Sequence, residues 1–313
     1  MHKFILRRLL LLIPVMIGVS FIIFTMMHFT PGDPARIQMG EAAPADAVEQ
    51  LREEMGLNDP FLVQYGRWLT NLIVHQDIGT SFRTNRGVAD EIMDRFPATL
   101  QLAAAGVLVS VVIGVPVGII SATKQHSIFD NVSMFAALIG VSMPNFWQGM
   151  LLIILFAVNL GWLPSGGLRG GAYNFIDLIL PAVTLGTGSA AVIARMTRSS
   201  MLEVIRQDYI KTARAKGQTE RIITNKHALK NALIPIITVV GLSFGALLGG
   251  AVLTESIFTI PGVGRLMVDA ISARDFPVVQ GGVLFIALMF SVVNLAVDIL
   301  YSFVDPRIKS QYK

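Results

Sequence analysis

Long apolar runs dominate the pattern of this chain, and polar segments of very unequal length separate them. A helix needs roughly 20 apolar residues to cross a hydrocarbon core about 30 Å thick. Six runs meet or approach this length, so the pattern predicts an all-α integral membrane fold with six transmembrane helices. The predicted spans are residues 9–29, 100–122, 132–160, 178–194, 233–253 and 283–304. Pro144 interrupts the third span and Pro181 lies in the short fourth one.

The first polar segment is the only candidate domain outside the membrane. Residues 30–97 carry eleven acidic and six basic side chains, and two stretches have apolar positions at helical spacing. We therefore expect a small helical cap over the outer mouth. The predicted organisation is residues 1–29 with the first span, the outer loop domain 30–97, and a five-helix core 98–313 that includes a surface loop 199–231.

Composition and charge agree with a membrane protein. Hydrophobic residues make up 53% of the chain and charged residues 15%, against about 25% charged in soluble domains. With the N-terminus inside, sixteen Lys and Arg side chains fall in inner segments and nine in outer ones. Basic residues favour the cytoplasmic side, so both termini are predicted to be cytoplasmic. The first run has 21 residues, which is too long for a signal-peptide core of about 7–15.

The sequence shows no residues arranged for metal binding, phosphate binding or catalysis. There are no cysteines, and His28, His75, His126 and His227 have no paired metal-ligand spacing. No phosphate-binding glycine loop occurs, and no pair of reactive side chains has catalytic spacing. We predict no bound cofactor, no metal and no enzymatic activity for this chain. Its basic residues lie beside predicted spans, which favours lipid phosphates or acidic partner surfaces over nucleic acid.

The segment between the fourth and fifth spans is too polar to cross a membrane and too regular for a slack linker. Asp208 can cap a short helix that starts at Tyr209, and Gly217 is suited to end that helix in a left-handed conformation. Thr219 can cap a second helix that runs to about Lys230. Two interpretations follow: a basic stretch resting on anionic lipid, or a rigid element that docks in a groove on a partner.

Several motifs resemble the permease subunits of ATP-binding-cassette importers. The residues 207–217 resemble their cytoplasmic coupling loop, although Lys211-Thr212-Ala213 stands where the general pattern has Glu-Ala-Ala. Order and spacing elsewhere are similar to the first-permease subgroup of the dipeptide, oligopeptide and nickel branch. The matching segments are 31–34, 55–57, 77–81, 95–100, 143–146, 163–167, 180–182, 255–258, 261–264, 274–277 and 305–307.

The resemblance also implies the other subunits of the transporter. It implies a second homologous permease, two ATPase subunits that bind ATP and Mg, and an extracytoplasmic substrate-binding protein, in the bacterial cytoplasmic membrane. Peptides are the default cargo, with nickel chelates and glutathione as alternatives. The residues that it assigns to ATPase coupling are Asp208, Tyr209, Thr212, Ala213, Ala215, Lys216 and Gly217.

Six further residues are candidates for a transport pathway or gate. Met143, Asn145 and Phe146 lie at the break in the third span, where proline either shapes a cavity or forms a packed kink. Glu255 either lines the outer mouth or locks a loop through Arg265 or Arg274. The remaining candidates on the sixth span are Asn294 and Asp298, which line the pathway, contact another subunit or anchor neighbouring helices.

Glycines at residues 241, 245 and 249 of the fifth span allow close helix packing, either within this chain or against a second permease.

Two other function classes require sequence features of their own. A membrane enzyme needs a reactive constellation inside the spans, and a secondary carrier usually shows internal repeats with matching broken helices. Neither feature is evident in the sequence.

Overall fold

The computed structural model describes residues 2–40, 42–167 and 175–304. Helices account for nearly all regular structure in these ranges, as the membrane-type pattern predicts. The helices are α1 (His2–Phe29), α2 (Pro34–Met39), α3 (Ala45–Met55), α4 (Phe61–Val74), α5 (Val88–Thr123), α6 (Ile128–Ser142), α7 (Asn145–Leu152), α8 (Phe175–Ile205), α9 (Asp208–Ala215), α10 (Glu220–Ile222), α11 (Leu229–Gly250), α12 (Val252–Ile257), α13 (Val263–Ala273) and α14 (Phe276–Val304). The segment 305–307, one of the family-like motifs, lies outside the described residues.

Helices α5 and α8 form the centre of the bundle and run parallel. Gly106 faces Leu185 and Gly114 faces Ile193, so eight residues along one helix match eight along the other. Added Cβ atoms on Gly114 and Gly118 would lie 2.7 and 2.6 Å from main-chain oxygens of α8. Small residues thus permit direct backbone contact, which drives helix association where lipid surrounds the protein.

The parallel order of α5 and α8 decides how the chain crosses between them. Five helices are long and apolar enough to span a membrane alone, and the α6–α7 pair is bent by 103°. Since α5 and α8 start at the same side, the chain between them must cross once, and α6 with α7 forms that crossing. Six crossings result. We call the end of the helix bundle that holds residues 30–87 the cap end, and the end that holds α9 the α9 end.

The bend in the third span is sharper than the interrupted helix predicted for residues 132–160. Met143 has an extended backbone, with φ −78° and ψ 125°, because the ring of Pro144 disfavours helical conformation in the preceding residue. A π-helical segment, Ile153–Asn159, completes the crossing. The prediction of a break at Pro144 is confirmed.

Two other boundaries differ from the sequence pattern. Helix α5 begins at Val88 rather than residue 100, because Val88 and Ile92 are buried in the cap-end core. The predicted domain boundary at residue 97 therefore falls inside a helix, and the division itself stays a prediction. The second surface helix does not end near Lys230: α10 continues through π-helical Ile223–Ala228 into α11.

The glycines of α11 pack within the chain. Added Cβ atoms on Gly241 and Gly249 would lie 2.1 Å from Val297 and 3.3 Å from Ile286 of α14. This pairing runs in opposite directions, as expected for consecutive crossings. It favours the interpretation that these glycines serve packing inside this subunit.

Candidate functional site

Helix α9 begins one residue earlier than the sequence predicts. Gln207 is the N-cap residue and makes no side-chain capping bond, so the prediction that Asp208 caps the helix is wrong. The Asp208 carboxylate instead accepts a hydrogen bond from Lys211 Nζ at 2.8 Å. Lys211 thereby lowers the pKa of Asp208. Thr212 Oγ1 donates to the Asp208 carbonyl at 3.0 Å, which keeps this hydroxyl on its own helix.

One apolar side chain seats α9 on the bundle. Ile210 is completely buried, whereas the polar residues of the helix are exposed. It lies in a buried cluster to which α5, α8 and the α10–α11 segment all contribute, and half-buried Ala213 packs against the same cluster. The buried members are Ala122, Met201, Ile210, Ile223, Ala228, Ala232 and Ile236. Ile210 therefore connects α9 with three other elements through one packed cluster.

Gly217 ends the helix as the sequence predicts. Its φ is +75°, a conformation that glycine adopts without the penalty of a Cβ atom. Its N–H donates to the Arg214 carbonyl at 2.9 Å, and the next N–H reaches the Ala213 carbonyl at 3.3 Å. These bonds satisfy carbonyls at the helix end and turn the chain back toward α10.

Polar bonds brace α9 against the helices that follow. Asn231 Nδ2 donates to the Tyr209 hydroxyl at 2.8 Å. Arg214 forms two bonds to Glu220, at 2.6 and 3.1 Å. Because these partners are exposed, they orient the helix but contribute little to stability.

The surface of α9 away from Ile210 is exposed in the described chain, and its contacts there are the polar bonds already described. Tyr209 is 43% exposed, and Ala215 and Lys216 are exposed beside it. Small Ala215 and Gly217 leave a shallow surface that a partner can approach closely. Helix α9 therefore has an inner face that Ile210 packs against the bundle and an outer face that is exposed.

A buried ion pair at the same end was not singled out in the sequence. Asp130, at the start of α6, is 2% exposed. Arg198 of α8 donates to its two carboxylate oxygens at 2.7 Å each. Ser121 of α5 and the His126 N–H also donate to this carboxylate. The Ser127-x-x-Asp130 spacing signals a helix start, and Ser127 Oγ does accept from the Asp130 N–H, but no local pattern identifies Arg198 as the partner.

The three candidate pathway residues at the bend lie together, as their sequence positions require. Met143 is half-buried, Asn145 is exposed and Phe146 is 42% exposed. The Asn145 side chain lies beside Gly188 of α8. One turn later, Gln148 donates to Thr187 at 2.7 Å, which attaches the bend to α8.

Glu255 does not line a mouth in this chain. It is fully buried and accepts from the Thr99 hydroxyl at 2.7 Å and the Arg265 N–H at 2.9 Å. Gly262 leaves room for the carboxylate, since a Cβ there would lie 2.3 Å from each oxygen. Burial raises the pKa of Glu255, outweighing these hydrogen bonds. Glu255 locks the loop, but through main-chain N–H groups rather than the side chains of Arg265 or Arg274.

Asp298 bridges the first and last helices. Its carboxylate lies 3.0 Å from Arg8 Nη1 of α1, near the α9 end of the bundle. Asn294 is half-buried one turn earlier on α14. The contact with Arg8 favours the interpretation of Asp298 as a helix anchor. Among the described residues, no group of three or more His, Cys, Asp or Glu side chains is arranged to hold a metal.

Comparison with solved structures agrees with this architecture. The chain is similar to a protein of the MetNI methionine ABC transporter in its inward-facing conformation, with a TM-score of 0.55 and 22% identity. The match covers 68% of this chain and 96% of the other. At this identity the likeness shows a common fold.

Sequence comparison is more specific. The family model "Binding-protein-dependent transport system inner membrane component" matches residues 114–310, and the model of its N-terminal part matches residues 1–103. The chain is 48% identical to the dipeptide transport system permease protein DppB of Alkalihalophilus pseudofirmus, covering 99% of this chain and 100% of the relative. It is 45% identical to DppB of Escherichia coli, covering 99% of each. The chain therefore belongs to the family of inner membrane components of binding-protein-dependent transport systems, the permease subunits of ABC importers.

Proposed function

We propose that this chain is a permease subunit that moves dipeptides or oligopeptides across the bacterial cytoplasmic membrane, driven by ATP hydrolysis in partner subunits. The observation that carries the proposal is α9, an exposed short helix whose single buried residue, Ile210, is seated in a cluster shared by α5, α8 and α11. The names of the DppB relatives support a peptide cargo.

In this proposal the α9 end faces the cytoplasm. The excess of basic side chains at that end supports this orientation. An ATPase subunit contacts the surface formed by Asp208, Tyr209, Thr212, Ala213, Ala215, Lys216 and Gly217. ATP and Mg are bound by the ATPases, and no cofactor is assigned to this chain. A second permease completes the pathway, and a substrate-binding protein delivers cargo at the cap end.

The anchored helix explains how force reaches the membrane. When the ATPases close, they move α9 as a rigid body, because Ile210 and Ala213 keep it seated. The buried cluster passes this motion to α5, α8 and α11, and Asp130 with Arg198 keeps α6 aligned with them. Residues Met143, Asn145 and Phe146 then lie at a flexible point of the third crossing, where the pathway can open or close.

Cysteine labelling tests the orientation, since the chain has no cysteine of its own. Cysteine is introduced at exposed Ala215, and in a control variant at exposed Glu53 of α3. In intact cells a membrane-impermeant maleimide should label the Glu53→Cys variant, and should label Ala215→Cys only after permeabilisation. Labelling of Ala215→Cys in intact cells contradicts the proposed orientation.

Cross-linking and coupling assays test the docking surface. In the purified complex, Ala215→Cys with a short bifunctional reagent should link to an ATPase subunit, and Glu53→Cys should not. Gly217→Pro should abolish uptake while the complex still hydrolyses ATP, because proline cannot adopt φ +75° and lacks the N–H that bonds Arg214. Gly217→Asn, which tolerates left-handed φ, is the matched control and should retain most uptake. Normal uptake by Gly217→Pro refutes the docking role.

A further inference from the structure

Helix α4 presents two apolar faces, and the described residues cover only one of them. Phe61, Tyr65 and Trp68 pack their rings against Phe21 and Phe24 of α1, with ring centroids 5.2–5.9 Å apart. The second face is uncovered in the structure, at spacings that place its members on one side of a helix. Its members and their exposed fractions are Leu62 at 68%, Val63 at 50%, Ile73 at 63% and Val74 at 67%.

The covered face reaches far along α1. The Tyr65 hydroxyl lies 2.9 Å from Ser20 Oγ, and Ser20 is 1% exposed. Ser20 comes nine residues before Phe29, where α1 ends; at a rise of 1.5 Å per residue this is about 13 Å from the helix end. Since Leu6–Phe29 is the apolar crossing segment of a membrane permease, Tyr65 meets α1 within the hydrocarbon region.

Three polar side chains of α4 have partners within the described chain, and exposed Asn71 lies away from Leu62 and Ile73. Gln64 Nε2 donates to the carbonyls of Leu57 and Asp59 at 2.9 and 2.8 Å. Arg67 pairs with the Asp59 carboxylate. Thr70, the one hydroxyl near the uncovered face, donates to the Gly66 carbonyl at 2.8 Å. A helix with this distribution can lie in a lipid environment, where unsatisfied polar groups are costly.

The helix that α4 packs against also exposes apolar side chains. On the same half of α1, Ile22, Met26 and Phe29 are 60%, 59% and 75% exposed. Exposed apolar side chains on a membrane-spanning helix and on the neighbour packed against it are suited to acyl chains.

We infer that α4 is embedded in the bilayer leaflet at the cap end, with Leu62, Val63, Ile73 and Val74 against lipid acyl chains, instead of resting in water over the transport mouth. The occupant is lipid because the Tyr65–Ser20 contact fixes the depth of the helix, and the one charge that borders the free face, Arg67 beside Val63 and Val74, is paired with Asp59. The helix thus holds the outer domain at a fixed height against the membrane. This inference depends on α1 crossing the membrane and is independent of the cargo and of α9.

Spin-label accessibility in the assembled transporter tests the inference. Single cysteines at Leu62 and at Ile73 carry a nitroxide, with Glu53→Cys as the control on α3, in vesicles of phosphatidylethanolamine and phosphatidylglycerol. The partner subunits are used in a cysteine-free form. At Leu62 and Ile73, collisions with oxygen should exceed collisions with a water-soluble nickel chelate several-fold, and at Glu53 the order should reverse.

Two results overturn the inference. If the nickel chelate reaches Leu62 as readily as Glu53, α4 lies in water. If neither reagent reaches Leu62 or Ile73, a protein subunit covers this face. Uptake by each labelled variant shows that the transporter is assembled in the state measured.

A pair of charge variants separates insertion from damage to the helix. With the nitroxide at Leu62, Ile73→Asp places a carboxylate on the lipid face and should raise the accessibility of the label to the nickel chelate several-fold, because α4 is driven outward. Asn71→Asp adds the same charge on the polar side of α4 and should leave the accessibility unchanged. Equal effects of the two charges contradict the lipid-facing assignment.

Discussion

Two buried carboxylates join helices at opposite ends of the bundle, and their partners differ in kind. At the α9 end, Asp130 accepts two bonds from the Arg198 guanidinium. At the cap end, Glu255 accepts from the Thr99 hydroxyl and main-chain N–H groups. The first joint balances charge with charge, and the second surrounds a carboxylate with neutral donors.

The two buried carboxylates therefore fix their surroundings by different interactions. At the α9 end the charge of Arg198 compensates the buried carboxylate, so the joint keeps α5, α6 and α8 aligned while α9 itself rests on an apolar seat. At the cap end burial is nearly complete, and no cation among the described residues forms an ion pair with Glu255, so burial raises the pKa of Glu255. The cap-end joint is therefore sensitive to protonation, and we expect it to change little in shape during transport.

Removal of the charged partner at the α9 end should have the largest effect. Asp130→Ala leaves the Arg198 guanidinium, whose side chain is 25% exposed, without its carboxylate. The change should cost about 3 kcal/mol of unfolding free energy, at the low end for a broken buried pair because water reaches Arg198. Denaturant unfolding of the purified chain in detergent measures the loss. The double variant Asp130→Leu with Arg198→Met should recover much of it, and a single-variant loss near zero would show that water replaces the pair.

Truncation at the cap end should cost less. Glu255→Ala leaves the Thr99 hydroxyl and the Arg265 N–H without an acceptor, a total cost of about 1–3 kcal/mol. Glu255→Gln keeps one acceptor oxygen and should lose less stability. The same unfolding measurement compares them, and equal stability of Ala and Gln would refute a hydrogen-bonding role.

The pH dependence of stability should distinguish the two joints. Because the pKa of Glu255 is raised above its ordinary value of 4.5, the folded state holds this proton more tightly than the unfolded state. Wild-type stability relative to Glu255→Gln should therefore be greatest below pH 4.5 and decline as pH rises from there through the folded pKa. The difference in Tm between the two proteins across this range measures the effect, and a difference that grows with pH would reverse the assignment.

The exposed pair that braces α9 should contribute least. Arg214 and Glu220 have side chains 44% and 66% exposed, and exposed pairs typically contribute about 0.2–1 kcal/mol. Arg214→Ala should leave Tm almost unchanged. A loss as large as that of Asp130→Ala would mean that α9 is held by charge rather than by Ile210.

Local sequence signals predicted the features that depend on nearby residues. The apolar runs predicted six crossings, Pro144 predicted the break, and Gly217 predicted the end of α9. The sequence did not predict every local bond correctly, since Asp208 pairs with Lys211 instead of capping α9. Capping competes with an ion pair at similar distance, and only the folded geometry decides between them.

By itself, the sequence determined the fold class, the crossings and the surface helix, because hydrophobic length and backbone preferences act over a few turns of chain. Tertiary structure decided the rest. It joined Asp130 to Arg198 across 68 residues and Thr99 to Glu255 across 156. It also bent the third crossing by 103° and laid α4 along α1. These contacts depend on which helices become neighbours, and packing of the whole bundle sets that order.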